Sequence, residues 1–309
     1  MHDLVIIGAG PAGLTAALYA ARYRMDTVVL EKMSVGGQIL FSSQIENFPG
    51  FPGGISTAEL IGRMQKQIEE LNIGIEMEEV NKIKANSLPK ETLFEIITPN
   101  KNYQAKAVIV AVGAQPKRLG LEAEARLIGR GISYCATCDA PLFRDKEVVV
   151  VGAGDKAIEE AIFLSSYAKK VTVIHRRNQL RASGILQEKA KTNPKINFAL
   201  ESVVENIKGK DKVEAAVIKN LSTGAMTNLI CQGIFIFVGI KPDTDFLKDL
   251  LKLDELGFIM TDQEFNTSLN GIFACGDCCK NSLYQVVTAC SEGAIAATSA
   301  HNYLGYRKV

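Results

Sequence analysis

The sequence contains little of the raw material that several kinds of functional site require. It has three histidines in 309 residues, which leaves few candidates for an imidazole-based zinc or acid–base cluster. Its seven cysteines are too few for the disulfide framework of a secreted scaffold. In a reducing cytosol, closely spaced cysteines more commonly carry redox chemistry or bind a metal. These shortages direct attention to cysteine chemistry in a cytoplasmic protein.

Excess charge and long apolar runs are also lacking. The formal net charge is +1, which gives no reason to expect nucleic acid or an anionic membrane as a partner. The apolar stretch at residues 4–21 is interrupted by three glycines and a proline, and no basic segment or A-x-A cleavage site accompanies it. We therefore expect a cytoplasmic protein without a membrane segment. At this length, the chain can form two domains of ordinary size.

The beginning of the chain has the pattern of a dinucleotide-binding unit. An apolar run at residues 3–7 predicts a buried strand, and an Ala/Leu-rich run predicts a helix to about Arg24. A second predicted strand ends in Glu31, which would accept a hydrogen bond from a ribose 2′-hydroxyl and repel a 2′-phosphate. The glycines between strand and helix let the backbone approach a pyrophosphate. This turn consists of Gly8, Ala9, Gly10, Pro11, Ala12 and Gly13.

The same unit recurs later, since Gly152 stands 144 residues after Gly8 and His175 stands 144 residues after Glu31. Guanidinium groups suit phosphate oxygens in geometry and charge, so the basic residues of the second unit predict a 2′-phosphorylated dinucleotide, NADPH. A solvated basic surface is the alternative. The second turn contains Gly152, Gly154, Asp155, Lys156 and Ala157, and the basic residues are His175, Arg176, Arg177 and Arg181. The Lys156 side chain either binds the pyrophosphate or points to solvent.

Cys135 and Cys138 are separated by two residues and precede the second glycine-rich turn. Such a pair closes a small ring easily and commonly includes one thiol with a lowered pKa. Two buried structural cysteines and half of a four-ligand zinc site are the alternatives. Four further cysteines lie near the end of the chain, and we expect them to be packing residues and not metal ligands. They are Cys275, Cys278, Cys279 and Cys290.

Other segments indicate where the chain turns toward a ligand or between domains. Residues 36–38 and 46–51 are rich in Gly and Pro and predict loops close to a ligand. A predicted strand over residues 267–277 ends in Gly276 and Asp277, and a predicted Ala-rich helix runs from Gln285 to about Tyr303. Two Val-Gly-x-x-Pro sequences, at residues 112–116 and 238–242, predict paired linkers around an inserted domain.

In combination, these motifs resemble the low-molecular-weight bacterial thioredoxin reductases over the whole chain. The shared motifs are, in order, G-A-G-P-A-G, G-G-Q, E-N-F-P-G, C-A-T-C-D, G-A-G-x-x-A, H-R-R-x-x-x-R and C-G-D. The resemblance implies an α/β fold with two Rossmann-like dinucleotide-binding domains, the second inserted into the first. It implies FAD in residues 1–114 and 244–309, NADPH in residues 115–243, and a homodimer.

The resemblance also implies roles for individual residues. Cys138 would be the thiol beside the flavin, and Cys135 would attack the substrate disulfide. Asp139 would be an acid or base for the thiols, with a helix N-cap as the alternative role. Further cofactor contacts implied in this way are Lys32, Gly37, Gln38, Asn47, Val80, Gly113, Gly276, Asp277, Gln285 and Val286. Three residues depart from the usual family pattern, namely Val112, Lys156 and Tyr284. These departures affect what the resemblance implies about the tuning of the flavin and the strength of NADPH binding.

The implied activity is that of a thioredoxin-disulfide reductase. Such an enzyme passes a hydride from NADPH to FAD, then reduces the Cys135–Cys138 disulfide, and then exchanges with oxidised thioredoxin. A related flavin disulfide reductase serving a glutaredoxin-like or peroxiredoxin-system acceptor is one alternative. A flavin-bound redox sensor with slow turnover is another.

Overall fold

The computed structural model describes residues 1–41, 44–45, 47–87, 92–281 and 283–305. The chain divides into two compact units, the first comprising Met1–Gln115 and Lys241–Val309 and the second comprising Pro116–Ile240. Each unit combines parallel strands with helices, so the predicted α/β class is confirmed. The predicted E-N-F-P-G motif begins at Glu46, which lies outside the described residues.

The strands are β1 (His2–Ile7), β2 (Thr27–Glu31), β3 (Gln44–Ile45), β4 (Ile55–Ser56), β5 (Gly74–Met77), β6 (Lys82–Ser87), β7 (Thr92–Ile97), β8 (Asn102–Val110), β9 (Ala114–Pro116), β10 (Ile132–Ser133), β11 (Glu147–Val151), β12 (Lys170–Ile174), β13 (Ile196–Ala199), β14 (Ser202–Lys208), β15 (Ala215–Asn220), β16 (Met226–Ile230), β17 (Gly233–Ile236), β18 (Ile240–Pro242) and β19 (Ile272–Ala274). The α-helices are α1 (Pro11–Arg22), α2 (Thr57–Glu69), α3 (Glu122–Leu127), α4 (Ala136–Asp139), α5 (Asp155–Ser165), α6 (Gly184–Thr192) and α7 (Val286–Tyr303). Short 3₁₀ helices span Gly37–Phe41, Ala140–Phe143 and Asp245–Leu247.

The main sheet of the first unit has the strand order β5-β2-β1-β8-β7-β6, and β19 pairs with β8. Strand β1 pairs in parallel with both β2 and β8. Its side chains alternate between two buried apolar clusters, with Leu4 and Ile6 in one and Val5 and Ile7 in the other, so both faces of the strand are covered. Because β1, β2, β8 and β19 are parallel, their carboxyl ends lie at one edge of the sheet. Ligands of such sheets bind outside that edge.

Helices α1 and α7 pack against each other through small residues. A Cβ built on Gly293 of α7 would lie 2.1 Å from the carbonyl oxygen of Ala12, so only glycine permits this approach of the two backbones. The predicted Ala-rich helix is confirmed as α7. The predicted strand at residues 267–277 is too long, because only Ile272–Ala274 is extended. The Thr267 hydroxyl donates to the carbonyl oxygen of Ile272 and closes a turn before that strand.

The second unit contains a parallel sheet in the order β10-β17-β11-β12-β13 and an antiparallel sheet in the order β14-β15-β16. Helix α5 follows β11 directly, as α1 follows β1 in the first unit. The two faces of the parallel sheet bury separate apolar clusters. The chain crosses between the units at two segments that pair as β9 and β18 and overlap the Val-Gly-x-x-Pro sequences. Within the described ranges, no helix is long and apolar enough to cross a membrane.

Candidate functional site

The turn between β1 and α1 brings backbone segments into contact at two of its three glycines. Gly8 has a φ of +105°, and a Cβ there would lie 2.3 Å from the carbonyl oxygen of Ala111. A Cβ on Gly13 would lie 1.8 Å from the carbonyl oxygen of Gly8. Gly10 is different, because the atom nearest to a Cβ built there is the carbonyl oxygen of Gly36, at 3.9 Å. Packing therefore requires two of the glycines, whereas Gly10 leaves open backbone at a helix N-terminus, which suits an approaching phosphate.

Glu31 lies where the sequence predicts a ribose contact. Its side chain is buried, and its carboxylate accepts hydrogen bonds from the backbone N–H groups of Ala9 at 2.8 Å and Met33 at 2.9 Å. These two bonds fix the carboxylate between the fingerprint turn and the end of β2. Its remaining lone pairs can accept from a hydroxyl group.

A cleft opens at this edge of the first unit. Four predicted cofactor residues line it together, namely Gly8, Glu31, Lys32 and Val80. Val112 and Asp243 also line the cleft, and the Asp243 carboxylate pairs with the Lys32 ammonium group. Sequence reasoning missed Asp243, which is 211 residues from its partner and belongs to no motif.

The predicted ligand loops lie against the same turn. The N–H of Gly36 donates to the carbonyl oxygen of Ala9 at 2.8 Å, and a Cβ on Gly37 would lie 3.6 Å from the Cα of Gly10. The Asn47 side chain donates to the Gln285 side chain at 3.0 Å, across 238 residues of sequence. The fold therefore brings these loops and the N-terminus of α7 to the fingerprint. Of the other predicted contacts, Gln38 lies in the first 3₁₀ helix, Val286 begins α7, and Gly113 follows β8.

The Gly276–Asp277 turn follows β19 and is held by side chains that the sequence analysis did not single out. Glu292 of α7 accepts from the Gly276 N–H at 2.7 Å, and the Asn281 side-chain amide donates to the same carboxylate oxygen at 3.0 Å. Burial raises the pKa of Glu292 above its ordinary value. An acidic residue within an otherwise small and apolar helix is the sequence signal that could have identified it.

Tyr284 is one of the three positions at which the sequence departs from the pattern that the resemblance implies. Its hydroxyl lies 3.4 Å from the N–H of Asn281 and 3.5 Å from the carbonyl oxygen of Cys279, and its ring packs 5.9 Å from that of Phe258. Burial raises the pKa of its phenol. This departure places a neutral side chain beside the Gly276–Asp277 turn.

The predicted redox motif forms the short helix α4 in the second unit. Cys135 is disulfide-bonded, which is inconsistent with a zinc-bound thiolate, and the side chain of Cys138 lies outside the described set. The Ser133 hydroxyl accepts from the Cys135 N–H and donates to the Cys135 carbonyl oxygen, both at 3.0 Å. Asp139 ends α4 and makes no side-chain capping bond to the following 3₁₀ helix, so the structure gives no support to the capping alternative.

A buried carboxylate supports the chain segment that enters this motif. The Tyr134 hydroxyl donates to Glu124, which also accepts from the N–H groups of Leu119 at 3.0 Å and Gly120 at 2.8 Å. Burial raises the pKa of Tyr134 far above its usual range, so its hydroxyl stays protonated and remains a donor. Sequence reasoning missed this pair.

The second fingerprint repeats the geometry of the first. Gly152 has a φ of +130°, and a Cβ there would lie 2.2 Å from the carbonyl oxygen of Phe237. A Cβ on Gly154 would meet nothing within 4 Å, as expected for open backbone facing a ligand. The Asp155 carboxylate accepts from the Ser183 N–H at 2.6 Å, and Ala157 is buried. Lys156 is exposed, with its ammonium 6.0 Å from the centre of the Phe237 ring.

The predicted basic residues follow strand β12. His175 is buried, and its Nε2 has no hydrogen-bond partner in the part of the chain that the structure describes. Burial lowers the pKa of His175, and the positive charges of the nearby arginines lower it further. Arg176 and Arg177 are exposed and form no ion pair with a described carboxylate. A neutral imidazole and unpaired guanidinium groups fit a phosphorylated ribose.

The four cysteines near the C-terminus behave as packing residues. Cys275, Cys278 and Cys279 are fully buried, and the Cys278 thiol donates to the carbonyl oxygen of Cys275 at 3.2 Å. Burial raises the pKa values of Cys275 and Cys290, and a hydrogen bond with Cys278 raises that of Cys279. The thiols of Cys275, Cys279 and Cys290 therefore stay protonated and are poor nucleophiles. Among described side chains, no group of three or more His, Cys, Asp or Glu residues is arranged to hold a metal.

Comparisons with known proteins agree with this geometry. Residues 2–293 match the family described as "Pyridine nucleotide-disulphide oxidoreductase". The chain is 47% identical over 311 residues to a thioredoxin reductase of Peptoclostridium litorale, covering 98% of this chain and 97% of the relative. It is 46% identical over 310 residues to a thioredoxin reductase of Peptoclostridium acidaminophilum, with the same coverages. A crystal structure of Lactococcus lactis thioredoxin reductase in its FR conformation matches with a TM-score of 0.85 and 40% identity over 99% of both chains. The resemblance and the Rossmann-type fold predicted from the motifs are confirmed.

Proposed function

The chain belongs to the pyridine nucleotide-disulphide oxidoreductase family, and we propose that it is a thioredoxin-disulfide reductase that uses FAD and NADPH. The family uses flavin and nicotinamide cofactors, and the proposal adds which ones and where. The observation that carries it is the disulfide at Cys135, within C-A-T-C-D and directly ahead of a dinucleotide fingerprint. The bound flavin would supply the two-electron link between a nicotinamide hydride and a disulfide.

FAD is assigned to residues 1–114 and 244–309, which make up nearly the whole of the first unit. The open backbone at Gly10 would face its pyrophosphate, and the Glu31 carboxylate would accept from its ribose hydroxyl. The Gly276–Asp277 turn and the Asn47–Gln285 pair would hold the rest of the molecule. The negative charge of Glu31 disfavours a 2′-phosphate there.

NADPH is assigned to residues 115–243, which include the whole of the second unit. Gly154 leaves space for its pyrophosphate, and Arg176 and Arg177 would pair with its 2′-phosphate. Lys156 adds a further positive charge beside the turn, where it would favour a bound pyrophosphate.

The thiol chemistry is assigned to Cys135 and Cys138. We pair them because only two residues separate them and the other five cysteines are free. In the reduced enzyme, the Cys135 thiolate would attack one sulfur of the substrate disulfide and release the other sulfur as a thiolate. The Cys138 thiolate would then attack Cys135 in the mixed disulfide, which restores the enzyme disulfide and releases the dithiol product. Asp139 would exchange protons with these thiols.

Thioredoxin is the proposed substrate because relatives of nearly equal length carry that activity in their names. A homodimer and a cytoplasmic location are further parts of the proposal, and they rest on the family resemblance and on cysteine usage. A glutaredoxin-like or peroxiredoxin-system acceptor, or a slow sensor, remains the competing proposal.

The test measures NADPH and NADH oxidation by the purified FAD-loaded enzyme in the presence of a panel of thioredoxins. Steady NADPH oxidation that depends on thioredoxin is expected. Cys135→Ser should abolish it and leave flavin reduction by NADPH intact, whereas Cys290→Ser, on a thiol outside the motif, should retain both. Oxidation that no thioredoxin accelerates would contradict the proposed substrate.

A further inference from the structure

The peptide groups on both sides of Gly276 are held by two side chains from outside the β19 turn. The Glu292 carboxylate, on α7, accepts from the Gly276 N–H at 2.7 Å. The Asn281 side-chain amide donates to the Gly276 carbonyl oxygen at 3.2 Å and to the same Glu292 oxygen at 3.0 Å. These three bonds join α7, the loop after the turn and the turn itself.

The backbone conformation at Gly276 is one that glycine adopts readily and that other residues rarely adopt. Gly276 has a φ of +78°, and a Cβ there would lie 2.9 Å from the Cβ of Ala12. Fixing the N–H and the carbonyl of one residue fixes the planes of the peptides before and after it. The direction in which Asp277 leaves the strand is therefore determined by Glu292 and Asn281.

Packing alone does not require a carboxylate at position 292. Glu292 is 8% exposed, and its neighbours Gly293 and Ala289 are small and buried. Burial of the carboxylate and the charge of Asp277 both raise the pKa of Glu292, and its two hydrogen bonds lower it. Retaining an acid where burial opposes its charge indicates a demand for a strong, fixed acceptor.

We propose that Glu292 and Asn281 are positioning residues that orient the Gly276–Asp277 turn for binding of the flavin. This inference rests on the proposed assignment of FAD to the first unit. The residues act through the backbone of Gly276, and neither is assigned a contact with the cofactor.

The experiment titrates apoprotein with FAD and follows quenching of flavin fluorescence and the flavin absorption spectrum. Glu292→Ala should raise the Kd for FAD roughly tenfold, the equivalent of one lost charge-assisted hydrogen bond. Glu292→Gln should keep the Kd within about threefold of the parent protein, because its amide oxygen still accepts from the Gly276 N–H. Ser291→Ala, at the exposed neighbouring position, is the matched control and should bind as the parent does.

The outcomes separate the inference from the function on which it rests. An unmodified apoprotein that does not bind FAD would refute the proposed function. An unmodified protein that binds FAD, together with a folded Glu292→Ala variant of equal Kd and unchanged spectrum, would overturn the inference alone. A Glu292→Gln variant as weak as Glu292→Ala would show that charge matters instead of the hydrogen bond, which would also overturn it. If Glu292→Ala does not fold, Asn281→Ala decides, with weaker binding expected and an unchanged Kd counting against the inference.

Discussion

Replacing Gly13 with alanine should destabilise the folded protein, whereas the same change at Gly10 should spare the fold and weaken flavin binding. The added Cβ at Gly13 would lie 1.8 Å from the carbonyl oxygen of Gly8. An ordinary C···O contact is about 3.3 Å, so α1 and the end of β1 would have to separate by about 1.5 Å. Both groups belong to the backbone, and no change of side-chain rotamer relieves the overlap.

The expected magnitudes follow from these distances. Overpacking of a well-filled site costs ~1–3 kcal/mol, and a backbone overlap of this size belongs at or above the upper end. That is a large part of the ~5–15 kcal/mol by which domains are ordinarily stable. At Gly10, φ is −75° and ψ is −178°, which alanine adopts without strain, and its nearest neighbour is 3.9 Å away. The stability of Gly10→Ala should therefore stay within about 0.5 kcal/mol of the parent value.

The assay compares apoproteins by urea unfolding, followed by far-ultraviolet circular dichroism, and then measures the Kd for FAD by fluorescence quenching. Gly13→Ala should lower the midpoint of unfolding. Gly10→Ala should keep the midpoint and raise the Kd, because its methyl group occupies space that the pyrophosphate needs. Equal loss of stability in both variants would refute the division of the fingerprint into packing glycines and a ligand-facing glycine.

Three further predictions concern charge and sulfur. Replacing Arg176 and Arg177 by alanine should raise KM for NADPH and leave KM for NADH nearly unchanged, since each lost charge-assisted contact is worth ~1.5–3 kcal/mol; an equal effect on both nucleotides would disprove the 2′-phosphate assignment. Cys278→Ala should cost about 1 kcal/mol of stability through a small cavity and retain thioredoxin turnover, so loss of turnover in a folded variant would reveal a second redox pair. Burial raises the folded-state pKa of Glu160 above 4.5, so this residue's stabilising contribution is complete below pH 4.5 and is lost as pH rises through the folded pKa. Glu160→Gln should therefore gain stability relative to the parent apoprotein over that window in pH-dependent unfolding, and parallel stability curves would contradict the assignment.

The glycine-rich turns could be predicted from sequence because their constraint is local. Gly8 and Gly13 are five residues apart, and the contact between them leaves no room for a Cβ at Gly13, whereas the second fingerprint has Ala157 at the corresponding position. The flanking apolar runs specify strand and helix independently, so the spacing and the periodicity support the same conclusion. The repeat at Gly152 and Gly154 could be found for the same reason.

The supporting residues could not be predicted because their partners are distant in sequence. Glu292 meets Gly276 across 16 residues, and Asp243 meets Lys32 across 211. A single acid in a helix has many possible partners, and only the packing of α7 on α1 selects the one that it contacts. Strand β16 could not be predicted for a different reason. Most of its side chains are exposed, so its sequence lacks the alternation of apolar and polar residues that indicates a half-buried strand.

The two fingerprints of this chain form an internal comparison that bears on the proposed assignment of FAD and NADPH. Both have a glycine that the backbone requires, at Gly8 and Gly152, and both have an open glycine two residues later. They differ at the residue that ends the second strand of each unit. Glu31 has both carboxylate oxygens bound by backbone N–H groups, so its negative charge is fixed in place before any ligand arrives.

His175 lies at the position equivalent to Glu31, and its hydrogen bonding and charge differ from those of Glu31. Its Nε2 has no partner within the described structure, and burial together with the adjacent arginines lowers its pKa, so the ring is neutral at physiological pH. The arginines that follow it then provide positive charge that no described carboxylate neutralises. Since the turns are alike, the pyrophosphate site itself does not distinguish the two ligands. The proposed assignment of FAD and NADPH therefore places the choice between a ribose with and without a 2′-phosphate at the ends of β2 and β12, where one unit presents a fixed anion and the other presents unpaired cations.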